Sequence, residues 1–265
     1  MSKGKVLVVG SNATRIEIQG ERTGPTGQYL NETVVPVMAM IDAGYDVVLA
    51  TPDGTRPHID PASDSAQHFG GDEKAFQRAR TFFESDASMN NVRTLRSVIE
   101  AGLGDYFGVF VPGGQAPVVD LMQDAELGEI LRYFHTSKKP TALLCHGPIA
   151  SLAALPDARG YRAALIAGDG AKAAELGKGW QYTGYKMTVF SASEEKPIEQ
   201  HILHGKLYFT MPDALQMAGG DVTTGADFEP NVIIDRELIT GQNPRSDHPI
   251  ASALIAALER ASVPA

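Results

Sequence analysis

Four short segments with apolar centres run into glycine or a turn: Lys5-Val-Leu-Val-Val-Gly10, Asp46-Val-Val-Leu-Ala-Thr51, Phe107-Gly-Val-Phe-Val-Pro-Gly-Gly114 and Thr141-Ala-Leu-Leu-Cys-His146. A strand without polar alternation has to be covered on both faces. Parallel sheets achieve this because their crossover helices lie on either side. Between the first two segments, after a Gly-, Thr- and Pro-rich loop from Gly20 to Gly27, Leu30, Val34, Met38 and Ile41 recur at helical spacing before Gly44 closes the helix. Strand, helix and strand in succession make a right-handed βαβ unit. A helix through Leu131 to Phe134 and a terminal helix from Pro249 to Arg260 continue the alternation. Tyr161 to Ile166, Met187 to Phe190 and Val232 to Asp235 are weaker strand candidates. The pattern predicts an α/β fold with a parallel sheet wrapped by helices.

The length of 265 residues suits one domain, 1–265, with an insertion. From Pro52 to about Asp105 the chain turns polar, with Pro57, Pro61 and Gly70-Gly71 before a helical stretch bearing Phe76, Phe82 and Phe83, so 52–105 reads as a cap. A net charge of −9 without a Lys/Arg cluster argues against duplex nucleic acid or an anionic membrane as partner. No apolar run reaches the ~18 residues of a membrane span, and the amino terminus leads directly into a strand, so a cytoplasmic protein is expected. One cysteine rules out an internal disulfide and any zinc site needing two thiolates from this chain.

Cys145 stands between an apolar strand and His146-Gly147-Pro148-Ile149-Ala150-Ser151, where glycine permits a sharp bend and proline suits a first helical turn. This predicts a nucleophile elbow at the carboxyl end of a parallel strand, where open sheets bind ligands. The helix dipole should lower the thiol pKa there. A small core residue is the plainer reading. Gly113 and Gly114 end another buried strand, and their N–H groups with that of His146 suit an oxyanion hole, or simply a tight turn. Pro36 deprives the Glu32 carbonyl of its helical partner, so a kink is expected to tip Glu32 toward the rim of the sheet. Without it, Glu32 is an ordinary solvent-facing glutamate. Neighbouring side chains on a turn diverge, so His146 needs an acid from elsewhere. Glu194-Glu195 offers one, or is merely a hydrated helix start. His201 and His204 alone have ligand-like spacing, and no metal is expected.

Ala142-Leu-Leu-Cys-His-Gly-Pro148, with Phe110-Val-Pro-Gly-Gly114 before it and Leu238-Ile-Thr-Gly-Gln-Asn-Pro-Arg-Ser246 after it, closely resembles the ThiJ/PfpI superfamily. The Gly24 to Pro36 segment with Glu32, and the insertion, resemble its heat-shock chaperone and glyoxalase III (HchA-like) branch. The resemblance implies a flavodoxin-like, class I glutamine amidotransferase-like sheet sandwiched by helices. It also implies a triad of Cys145, His146 and Glu195, Glu32 hydrogen-bonded to the thiol, and an oxyanion hole from Gly114 and His146. Relatives convert methylglyoxal to lactate without glutathione, metal or other cofactor, and are known as deglycases, holdase chaperones and homodimers. A small 2-oxoaldehyde and unfolded or glycated protein clients are the partners this suggests. A cysteine amidase or peptidase-like hydrolase, a holdase in which Cys145 is dispensable, and a redox sensor are the alternatives. Two departures stand out: Gln115-Ala116-Pro117 lies where relatives often carry histidine, and Gly168 to Tyr185, with Trp180 and Tyr182, is an addition whose place in the family pattern the resemblance does not fix.

Overall fold

The computed structural model describes residues 2–261. Its main sheet has seven strands: β1 (Lys5–Val9), β2 (Asp46–Thr51), β3 (Arg93–Thr94), β4 (Tyr106–Val111), β5 (Thr141–Leu144), β6 (Val232–Asp235) and β7 (Leu238–Gly241), in the spatial order β6-β7-β5-β4-β1-β2-β3. Neighbours run parallel except the β6–β7 hairpin, which is antiparallel. The sheet is thus the flavodoxin-like sandwich that the apolar runs and the resemblance lead one to expect.

The flanking helices are α1 (Leu30–Asp42), α2 (Glu73–Ser85), α3 (Leu95–Ala101), α4 (Ala125–Thr136), α5 (Ala158–Ile166), α6 (Ala192–Ile198) and α7 (Asp247–Ala261). Successive strand residues point to opposite faces, and β1 feeds both cores. Val6 and Val8 pack with Leu30, Val34 and Leu254 of α1 and α7. Leu7 and Val9 pack with Leu131 and Phe134 of α4. Each such side chain, fully buried, contributes about 1.5–3 kcal/mol, which is why these strands tolerate no polar residue at their centres.

Three segments differ from the sequence reading. Tyr161 to Ile166 is not a strand but most of α5, because the Asp157 carboxylate caps the helix at the Gly160 N–H and Tyr161 and Leu165, four apart, share its buried side. Of Met187 to Phe190, only Met187 pairs in a two-stranded ladder, with Val222, while the Phe190 N–H donates to the Cys145 carbonyl. Within 52–105, α2 and the turns before it are largely surface, but β3 pairs with β2 and Leu95 and Val98 are buried in the core. The stretch from Gly168 to Tyr185 also serves the core: Trp180 donates its indole N–H to the Ser151 carbonyl at 2.9 Å and meets the buried Tyr182 ring edge-on. Among the described residues, no helix is long and apolar enough to cross a membrane.

Candidate active site

Cys145 follows β5 directly and has φ of 61°, in the left-handed region. For a residue with a Cβ this costs about 1–2 kcal/mol, and the conformation is held from both sides. The Cys145 N–H donates to Gly241 of β7, and its carbonyl accepts from Phe190. Gly147–Ala154 then continues as a 3-10 helix with Pro148 in its first turn. The strained elbow throws the thiol up from the carboxyl end of the strand, at the floor of a cavity of about 880 Å³. The sulfur-bearing residue is only 2% exposed and lines that cavity.

Glu32 lies beside it, completely buried. Helix α1 runs on through Pro36 to Asp42. Glu32 stands in the first turn of this helix, with its carboxyl at the sheet rim beside Gly113. A Cβ at Gly113 would collide with both Glu32 Oε2 and Cys145 Cβ, so the approach of these two groups requires glycine there. Neither carboxyl oxygen of Glu32 makes a hydrogen bond of ordinary geometry, yet the thiol and the Gly113 N–H are near enough to favour its charged form. Burial outweighs them and, with the charge of Asp247, holds the Glu32 carboxyl well above the usual carboxylate range. Burial, then the proximity of Glu32, likewise pushes the Cys145 thiol well up, against a smaller stabilisation by the Gly114 N–H. The expected low-pKa, exposed thiol is therefore not what the fold builds. Two acids, each with its charged form disfavoured first by burial, thus lie side by side at this site.

The two glycine amides separate. That of Gly113 faces Glu32, and only that of Gly114, at φ of 84°, faces the sulfur. A side chain on Gly114 would strike the Gly27 carbonyl. Of the three residues expected to form an oxyanion hole, Gly113 is thus turned to another partner.

His146 does not diverge from its neighbour. Its Nδ1 lies 3.3 Å from Cys145 Sγ, and its Nε2 lies 2.7 Å from Glu195 Oε2. With the Nε2–H donated to the carboxylate, Nδ1 is left as the acceptor facing the sulfur. The imidazole stacks on Phe190 with ring centroids 4.5 Å apart. Glu195 also accepts from Gln115 Nε2 at 2.5 Å, so the residue standing where relatives often carry histidine orients the acid. Glu194 points elsewhere: it closes a capping box with Ser191 and accepts from Phe228, Gln242 and Asn243.

Several residues of this site carried no clear sequence signal. Tyr29 lines the cavity, and its hydroxyl pKa is raised first by burial and then by Asp60, Cys145 and Glu32. Its spacing of three from Glu32 at a helix start was the available clue. Asp247 opens α7 and accepts from Asn31 Nδ2 at 2.9 Å, a contact 216 residues apart in sequence that no local pattern announces. His201 lines the cavity, whereas His204 binds the Gln200 carbonyl away from it.

Residues 27–180 match the model of the DJ-1/PfpI family. Over 262 residues the chain is 26% identical to the protein/nucleic acid deglycase HchA of Staphylococcus aureus, covering 96% of this chain and 79% of that protein. Among solved structures it is similar to the 24 kDa rapid encystment protein of Francisella tularensis, with a TM-score of 0.71 at 22% identity over 97% of this chain and 99% of that one. It is also similar to glyoxalase III of Candida albicans, with a TM-score of 0.69 at 20% identity over 96% and 97% of the two chains.

Proposed function

Because the chain belongs to the DJ-1/PfpI family, we propose that it is a glutathione-independent glyoxalase, converting a small 2-oxoaldehyde to a 2-hydroxy acid through a Cys145 hemithioacetal. The observation that carries this reading is the flanking of one strained thiol by two proton-handling groups, the Glu32 carboxyl and His146 Nδ1.

The sulfur bonds to the aldehyde carbon as its proton passes to His146, and the carbonyl pair moves onto oxygen, stabilised by the N–H groups of Gly114 and His146. The proton on that carbon is then removed and its electron pair shifts toward the neighbouring ketone, giving an enediol. Reprotonation at the former ketone carbon leaves a thioester of the 2-hydroxy acid, and water displaces the thiol. Glu32, whose carboxyl burial holds well above the usual carboxylate range, is placed to give its proton to the hemithioacetal oxygen and then, as carboxylate, to take the carbon-bound proton and return it to the former ketone carbon. One carbon is oxidised while its neighbour is reduced, so the net change is addition of water and no redox cofactor takes part. The same thiol acting on a glycated amino group gives the deglycase outcome in the name of the S. aureus relative.

The test is conversion of methylglyoxal to lactate by the wild type and by Cys145→Ser. A fall of about 10³-fold or more is expected for the variant, with an unchanged circular dichroism spectrum. Undiminished turnover by Cys145→Ser rejects the scheme.

A further inference from the structure

The cavity above Cys145 exceeds what a three-carbon aldehyde needs. Sites of roughly 300–1,000 Å³ enclose ligands of drug size, and this one measures about 880 Å³. Phe69, Phe190, Ile198, Ile202 and Phe228 make much of its wall apolar. Phe228 is unusual in two respects at once. It is 40% exposed, one of the exposed large hydrophobic residues among those described, and its φ is 56°. A left-handed aromatic residue stores about 1–2 kcal/mol of strain, and its exposure forgoes much of the stabilisation that burial of the ring brings.

That costly placement is held rigidly. The Phe228 N–H donates to Glu194 Oε1 at 2.7 Å, and Asp227 Oδ1 accepts from the hydroxyls of Ser193 at 2.6 Å and Ser191 at 3.2 Å. The turn is therefore clamped to the first turn of α6, the helix that carries Glu195. The Phe228 ring meets Phe190 edge-on with centroids 6.5 Å apart, and Phe190 stacks on His146. An aromatic wall runs unbroken from the cavity mouth to the imidazole beside the thiol.

We propose that Phe228 determines specificity at this site: with Phe190 it receives the apolar substituent of the substrate, so that aryl and branched-alkyl 2-oxoaldehydes are preferred to methylglyoxal. This rests on the aldehyde chemistry proposed above. Phenylglyoxal plus water gives mandelic acid by the same steps, the ring remaining on the carbon that is reduced.

Initial rates, taken before phenylglyoxal modifies arginines, give kcat/KM for phenylglyoxal and methylglyoxal. The wild type should favour phenylglyoxal by about tenfold or more, and Phe228→Ala should lose about tenfold on phenylglyoxal, mainly in KM, with methylglyoxal changed less than about twofold. Phe228→Tyr, which keeps the ring, should retain the preference. Calorimetric binding of acetophenone to Cys145→Ser, weakened about tenfold when Phe228→Ala is added, reads the aromatic subsite independently of chemistry. Equal losses on both aldehydes in Phe228→Ala, a wild-type preference for methylglyoxal, or acetophenone binding indifferent to Phe228 overturns the proposal. Acetophenone binding that depends on Phe228, with neither aldehyde turned over, supports the subsite and instead overturns the aldehyde chemistry.

Discussion

Glu194 and Glu195 are adjacent and both buried, yet the same isosteric change should affect them in opposite ways. In Glu194, Oε1 accepts from the Phe228 N–H and Asn243 Nδ2, and Oε2 accepts from the Ser191 N–H and Gln242 Nε2. In Glu194→Gln, whichever way the new amide turns, its NH₂ confronts two donors that have lost their acceptor. At about 1–3 kcal/mol for each unsatisfied buried group, the loss is about 2–6 kcal/mol, a fall in Tm on the order of 10 °C for a chain of this size. Glu195 accepts one hydrogen bond on each oxygen, from Gln115 and from His146. In Glu195→Gln the amide of Gln115 can flip and accept from the new NH₂, so stability should change by no more than about 1 kcal/mol. His146 loses its charged partner, and kcat for methylglyoxal should drop by about 10²–10⁴. Thermal unfolding followed by circular dichroism, with activity measured well below both transitions, separates the two effects. A Glu194→Gln protein with wild-type Tm, or a Glu195→Gln protein with wild-type kcat, refutes this division of roles.

Other outcomes follow from the same geometry. Because Cys145 is held at φ of 61°, Cys145→Gly should be about 0.5–1 kcal/mol more stable than Cys145→Ala, the reverse of the usual order; urea denaturation checks this, and a more stable alanine variant contradicts it. Burial raises the Glu32 pKa above its unfolded value, so the native state keeps that proton longer than the unfolded chain. Its contribution to stability is whole below the unfolded pKa and is lost as pH rises through the folded one, by at most about 1.4 kcal/mol per pH unit. Glu32→Gln should therefore gain on the wild type between pH 5 and pH 8 in urea melts, and parallel curves would count against the assignment. Gln115→Ala removes one bond to Glu195 and should lower kcat about five- to tenfold, a drop that steady-state kinetics would show to be absent if Gln115 merely fills space. Gly114→Ala, aimed at the Gly27 carbonyl from a left-handed backbone, should cost more than about 2 kcal/mol, visible as a lowered urea midpoint.

Much of this arrangement was legible locally. The elbow was readable because a strand that must be buried on both faces ends at Cys145, and Gly147-Pro148 follows it with a sharp turn and a helix start. The sheet was readable for the same reason, through Val6 to Val9 and their counterparts. Glu32 was singled out through Pro36, while the close approach of its carboxyl to Cys145, which the missing side chain of Gly113 permits, was not legible. Tyr161 to Ile166 misled because a short apolar run carries either period, and its capping residue, Asp157, lies outside the run.

What the sequence determined by itself is what depends on near neighbours: where strands must be buried, where the chain must bend, and which residue stands at the bend. Which of two adjacent glutamates faces His146, that Gln115 steadies it, and that Asp247 bonds Asn31 were decided only when distant segments closed around them. The proton affinities of Cys145 and Glu32 belong to the same class, because desolvation is set by everything that displaces water from a group and not by the residues beside it in the chain.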